Sequence, residues 1–174
     1  MTVYFSEENH LVMADHHLAL GTGSAKSGPY FNAAGCEVLN MVAHLEEGAA
    51  ANAGSTVKVE LYAASDSSGT GATQIQFQDV FYTVGDNTLA EGTGKPTHVV
   101  QTSGGVPTPL DDWTTTAANA DDQEQVVVPV RARSLPAGKP WVKMVLTTGG
   151  TARNGQFGAI YQGLRSTDDP TTLL

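Results

Sequence analysis

Between positions 36 and 46 apolar side chains recur at every second residue. Leu39, Met41, Ala43 and Leu45 fall on one side, with Glu37 at its end, while Val38, Asn40, Val42 and His44 fall on the other. Successive Cβ atoms of a strand point to opposite faces, so a period of two predicts a strand. Thr56–Ala64 alternates more sharply, with Val57, Val59, Leu61 and Ala63 one way and Lys58, Glu60 and Tyr62 the other. That is the pattern of an antiparallel sheet with one face buried and one wet. The stretch 141–148 repeats it: Val142, Met144 and Leu146 oppose Trp141, Lys143, Val145 and Thr147. Shorter strands are expected over 74–78 and 80–84 (or one strand with a bulge across both), 113–116, 125–132 and 156–162, with a brief one at Val99 and Val100. Pro129 lies within 125–132 and has no N–H to give to a ladder, which predicts an edge or bulged position for it.

The polar stretches between these runs carry turn chemistry. Gly69 and Gly71 lie in 65–73, and Gly149 and Gly150 follow the strand at 141–148. Residues 1–34 are broken by Gly21, Gly23, Gly28 and Pro29 and read as an extended N-terminal arm. Residues 35–174 then form a single β domain, with a long Gly/Pro-rich excursion at 85–124. About seven to nine short strands and no convincing amphipathic helix predict a mainly β fold, an antiparallel β-sandwich or a jelly-roll-like barrel.

Composition sharpens this reading. The chain has 174 residues, 40% of them hydrophobic and 16% charged, enough apolar content to build one core and too little charge for a disordered chain. Its 9 Lys and Arg face 18 Asp and Glu, for a net charge of −9. Such a surface repels phosphate backbones and anionic lipid, and the closest approach to a basic patch, Arg131, Arg133, Lys139 and Lys143, is interrupted. Direct binding to nucleic acid or membrane is therefore not expected. Cys36 is the only cysteine, which leaves no internal disulfide. Glu7 and Glu8 near the start do not resemble a secretion signal, and no apolar run reaches the roughly 20 residues of a membrane helix, so assembly in a cytoplasm is expected.

Candidate chemistry is sparse. His10, Asp15, His16 and His17 cluster in sequence, but neighbours in an extended chain point apart and do not converge on a metal; they read as a polar arm. His44 and His98 are isolated on strand-like segments. The pairs Asp111–Asp112, Asp121–Asp122 and Asp168–Asp169 would serve acid–base hydrolysis only across a cleft, and read as solvated turns. The alternating glycines at 21–23 and 69–71 lack the further glycine and helix of a phosphate loop. Ser103 and Ser134 sit in no nucleophile elbow, and Cys36 reads as a small apolar residue at a strand start. No catalytic residue, metal or cofactor is assigned, and the chain is not expected to be an enzyme. Most aromatics fall on strand faces. Tyr4, Phe5, Tyr30 and Phe31 lie in the arm, where they serve either as anchors for a partner or as packing onto the chain's own domain.

Three stretches carry a family likeness: Val57-Lys58-Val59-Glu60-Leu61-Tyr62-Ala63-Ala64-Ser65-Asp66 running into Ser68-Gly69-Thr70-Gly71-Ala72; Trp141 to Thr148 after a Pro-Ala-Gly turn; and Gly158-Ala159-Ile160-Tyr161 before a tail with Arg165, Asp169 and Pro170. In this order they resemble a family of small virion proteins of tailed bacteriophages, the capsid decoration or cement proteins, over residues 35–84 and 125–170. The resemblance implies a structural protein on the outer capsid surface that stabilises the head, with the major capsid protein as partner and possible assembly as a dimer or trimer. It implies residence in the virion after assembly in the host cytoplasm. A neck or tail component of the virion is one alternative. A carbohydrate-binding β-sandwich with Trp113 or Trp141 as stacking platform is another.

Overall fold

A computed structural model of the chain describes residues 5–6, 25–46, 56–86, 97–115, 122–149 and 156–166. Fourteen strands lie within them. The first three are short: β1 (Phe5–Ser6), β2 (Ala25–Ser27) and β3 (Phe31–Asn32). Then follow β4 (Val38–Glu46), β5 (Thr56–Ala64), β6 (Thr73–Ile75), β7 (Asp79–Asp86) and β8 (Thr97–Val100). A small hairpin of β9 (Thr102–Ser103) and β10 (Val106–Pro107) precedes β11 (Asp112–Thr114), β12 (Asp122–Arg131), β13 (Trp141–Gly149) and β14 (Gln156–Ser166). One turn of 3-10 helix, Ala132–Ser134, joins β12 to β13, and no α-helix occurs among the described residues.

The strands form two antiparallel sheets packed as a sandwich. The first runs β1-β14-β4-β12-β7-β8; the second runs β11-β5-β13-β2, with β3 also on β13 and β6 also on β5. The alternation read from the sequence sets which side chains face inward. Leu39, Met41 and Ala43 of β4, Val126, Val128 and Val130 of β12, and Val80 and Tyr82 of β7 cover the inner face of the first sheet. Val57, Val59, Leu61 and Ala63 of β5 and Val142, Met144 and Leu146 of β13 cover that of the second. They meet in one apolar cluster.

The chain crosses between sheets in arches. The arch from β4 to β5 leaves the first sheet at Glu46 and enters the second at Thr56; the arch from β12 to β13 crosses at the opposite end, from Arg131 to Trp141. Each arch pairs with the other in both sheets, β4 with β12 and β5 with β13, over nine consecutive residue pairs in each case.

One segment differs in kind from the sequence reading. Residues 25–34, expected within an arm, belong to the second sheet: β2 and β3 pair with β13, and Phe31 and Ala33 are buried in the core. Their apolar positions are too few for a visible period, so only tertiary pairing reveals them. β2 is an edge strand, and its half-buried Lys26 lies opposite Leu146 between exposed Ala25 and Ser27. A cation on the inner side of an edge strand discourages pairing with another chain. Within the excursion at 85–124, the brief strand expected at Val99 and Val100 and the one expected over 113–116 are present as β8 and β11 with shifted bounds, and each forms an edge of a sheet. The strand expected from residue 125 also begins earlier, at Asp122.

The turn after β5 is closed by its own side chains. The Asp66 carboxylate accepts from the N–H of Ser68 at 2.9 Å and of Thr70 at 3.0 Å, while Ser65 donates through both N–H and hydroxyl to the Thr70 carbonyl. Gly69 has φ +86°, and a Cβ there would stand 2.7 Å from the Tyr30 ring. Gly69→Ala is therefore expected to destabilise the chain by about 1–3 kcal/mol. Adding Tyr30→Ala should recover the steric part and leave the backbone part, as a double-mutant cycle in urea would measure. The Thr70 hydroxyl and N–H, with further backbone donors, hold the Asp66 carboxyl below its ordinary range. A carboxylate depressed in the folded state contributes stability that is complete above the unfolded pKa of about 4 and is lost as pH falls through the lower folded value. Thermal melts of Asp66→Asn should accordingly show a shallower loss of stability than the parent chain between about pH 5 and pH 2.

Candidate functional site

The two outer faces of the sandwich differ in chemistry. On the second sheet, Lys58 and Glu60 form an ion pair at 3.0 Å, Gln74 donates to Glu60 at 3.1 Å, and Asp112 is the cross-strand partner of Glu60. The Glu60 carboxylate beside it holds the Lys58 ammonium above its usual pKa. Lys143 stands 4.7 Å over the Tyr30 ring, a cation–π contact. Burial raises the Tyr30 phenol, with the nearby Tyr62 and Asp66 adding to it. This face is wet and internally paired.

The outer face of the first sheet carries an apolar row between polar positions such as Asn40, His44, Gln125 and Thr83. Val42, Val127 and Phe81 are direct cross-strand partners in one row, which β8 extends with His98. Val38, Pro129 and Val100 flank that row at positions of the same parity. Phe81 is 37% exposed, and its ring stacks on His98 with centroids 4.7 Å apart and planes at 12°. The Asp79 carboxylate lies 2.8 Å from Nε2 of His98, which orients the imidazole.

A cleft of about 640 Å³ opens beside this row. Its origin is Pro129. The ladder between β12 and β7 ends at Val127 with Phe81, two residues before the proline, whereas β12 continues along β4 to Arg131. Proline has no N–H to offer β7, and β7 turns away toward β6 in the other sheet. The expected edge or bulged position is thus realised inside the sheet: β12 is a central strand that becomes an edge at Pro129. Val130 and Phe77, both buried, lie at the bottom of the gap. The Phe77 backbone exchanges hydrogen bonds with Leu110 at 3.0 and 3.1 Å, and the Phe77 carbonyl also accepts from the buried Gln101 side chain at 2.7 Å. Asp79, His98, Gln76, Gln78 and Arg131 supply the polar rim.

The sequence-selected residues fall as follows. Phe31 is consumed by the core at 6% exposure, and Tyr30 packs over the Gly69 turn beneath Lys143. Phe5 is the partner of Ser166 at the edge of the first sheet, while Tyr4 lies outside the described residues. His10, Asp15, His16, His17, Asp121, Asp168 and Asp169 lie outside them as well. Asp122 opens β12 opposite Asp86. Asp111 and Asp112 are exposed and line no part of the cleft. His44 is exposed on β4. Ser134 donates to the Arg131 carbonyl at 2.7 Å. Trp113 packs edge-on against Tyr82 at 5.1 Å, so its ring is engaged by the core. Among the described residues, no three His, Cys, Asp or Glu converge as a metal would require.

A signal present in the sequence bears on this site. Residues 125–167 hold six of the nine Lys and Arg and none of the acids. Arg131 and Arg133 from this block are exposed at the cleft end and have no ion-pair partner among the described residues. Lys139 instead donates to the Thr73 hydroxyl. The far end of the same sheet carries Glu46, Asp86 and Asp122 at its strand termini. The single buried acid among the described residues, Glu124, lies on the inner face and accepts from the Tyr82 hydroxyl, away from the cleft lining. Tyr82→Phe removes that donor and should cost about 1–3 kcal/mol in denaturant unfolding, with the fold retained. No family model, curated protein or solved structure matches the chain.

Proposed function

We propose that this chain is a structural virion protein of a tailed phage, bound to the outer surface of the capsid, where it stabilises the head. The observation that carries the reading is the contrast between the two outer faces. One is charged and paired within itself; the other is an apolar row of Val42, Val127 and Phe81 beside a cleft. Contiguous apolar surface rimmed by polar groups is characteristic of protein contact sites. The likeness of residues 35–84 and 125–170 to decoration proteins supplies the class of partner, the major capsid protein.

The physical logic of such a role is avidity. One small face gives a modest affinity, but many copies on a symmetric lattice, or a dimer or trimer on a symmetry axis, bind with far higher effective strength. The chain's net charge of −9 keeps the free protein soluble before assembly. Quantitative mass spectrometry of purified virions, paired with cryo-electron microscopy, tests the reading. Hundreds of copies with density on the capsid exterior are expected. Six or twelve copies would assign a neck or tail ring, and absence from the particle would sink the proposal.

A further inference from the structure

We infer that the cleft beside Pro129 is a docking pocket for a partner protein's segment that presents a bulky apolar side chain next to a carboxylate. The identity of the partner as a capsid protein rests on the reading above; the pocket and its preference do not. Three observations converge on this occupant.

The first is shape. A volume of about 640 Å³ lies within the roughly 300–1,000 Å³ of clefts that take small organic groups. The floor is made by Phe77 and Val130 and the walls by Phe81, Pro109, Pro129 and Val38, so it accepts an apolar group. The second is charge. Arg131 lines the cleft with an exposed guanidinium that has no ion-pair partner among the described residues, and the exposed Arg133 follows two residues on, outside the lining. A guanidinium offers two parallel N–H donors, the geometry that a carboxylate fills. The one carboxylate in the lining, Asp79, is already held by His98 at 2.8 Å, so it does not neutralise Arg131. The third is fixed geometry. The cleft is built on β4, β7 and β12, and Leu110 and Gln101 fix the Phe77 backbone. A preformed pocket loses little entropy on binding.

The same observations disfavour other occupants. Phe81 and His98 stack on one another, so their facing surfaces are closed to a sugar ring. A nucleic-acid backbone would meet Asp79 at the rim and the net charge of −9 beyond it.

The test uses the full chain, labelled with nitrogen-15, and two probes: N-acetyl-phenylalanine, which has the ring and the carboxylate, and N-acetyl-phenylalaninamide, which has the ring alone. The carboxylate probe should shift amide resonances at 76–81 and 128–134. The amide probe, and the carboxylate probe on Arg131→Gln, should each bind about tenfold more weakly. Phe81→Asp should abolish the shifts while leaving the rest of the spectrum in place. Shifts elsewhere, or equal binding of both probes, would overturn the inference. So would a neutral oligosaccharide that displaces the carboxylate probe, or an Arg131-dependent dimer in sedimentation, which would assign the pocket to a glycan or to a second copy.

Binding to capsids stripped of the chain separates this inference from the functional reading. Capsid binding by the parent chain, weakened about tenfold or more in Arg131→Gln and Phe81→Asp, supports both. Parent-level binding by both variants retains the capsid role and overturns the pocket as its anchor. No capsid binding, with the probe still bound, overturns the capsid role alone.

Discussion

The register of two arches decides the rest of this molecule. β4 pairs with β12 and β5 pairs with β13, nine residue pairs in each sheet, and each arch supplies one strand to each sheet. The side-chain period of a strand is two, so a slip of one residue in either ladder would send Leu39, Met41 and Ala43, or Val57, Val59 and Leu61, to solvent. Burial of these residues in a single cluster specifies the register from both sides at once. Further strands then attach to a frame that already exists: β2 and β3 to β13, β6 and β11 to β5, β7 to β12.

That frame also explains why the outer faces differ. A sandwich needs only its inner faces apolar, and the second sheet sets Lys58, Glu60, Tyr62 and Lys143 outside beside Trp141 and Val145, with its charges paired among themselves. The first sheet differs. Val42, Val127 and Phe81 repeat an apolar residue where the alternation permits a polar one, and none of the three is needed to close the core. Pro129 adds a second departure by ending the β12–β7 ladder in mid-sheet. A strand interior that gives up hydrogen bonds and a face that gives up polarity are local conflicts with the fold, and such conflicts concentrate where a protein meets something else.

Much of the frame was legible in the chain because period two survives in long runs. Thr56–Ala64 was read with the bounds it has, and the buried faces of β4, β5 and β13 follow from alternation alone. The pieces that escaped are those whose meaning is long-range. Phe31 sits in a segment broken by glycine and proline, and only its pairing with Val142 makes it a core residue. β8 and β11 lie in a stretch rich in glycine and proline; brief strands were expected there, but their places at the sheet edges follow only from pairing with β7 and β5. The cleft was visible only as Pro129, read as a break in a ladder without knowing which neighbour would leave. Its Phe77 floor and Arg131 rim lie 54 positions apart in the chain, and no local pattern joins them.

The charge layout connects these points. An acidic chain that concentrates six of its nine cations in 125–167 places them on β12, β13, β14 and their connections, and so, at Arg131 and Arg133, at the end of the sheet where the cleft opens. The opposite strand termini hold Glu46, Asp86 and Asp122, two of them directly opposed. Toward the carboxylate-bearing segment inferred above, such a layout would turn the acidic end away and the cleft end forward before any contact forms. Once seated, a pocket carried on paired strands needs no reordering, and the apolar row beside it extends the contact. In the capsid role proposed above, weak attachment at each copy would add up to a firm coat because the partner repeats, so the lattice, rather than the single interface, would supply the stability.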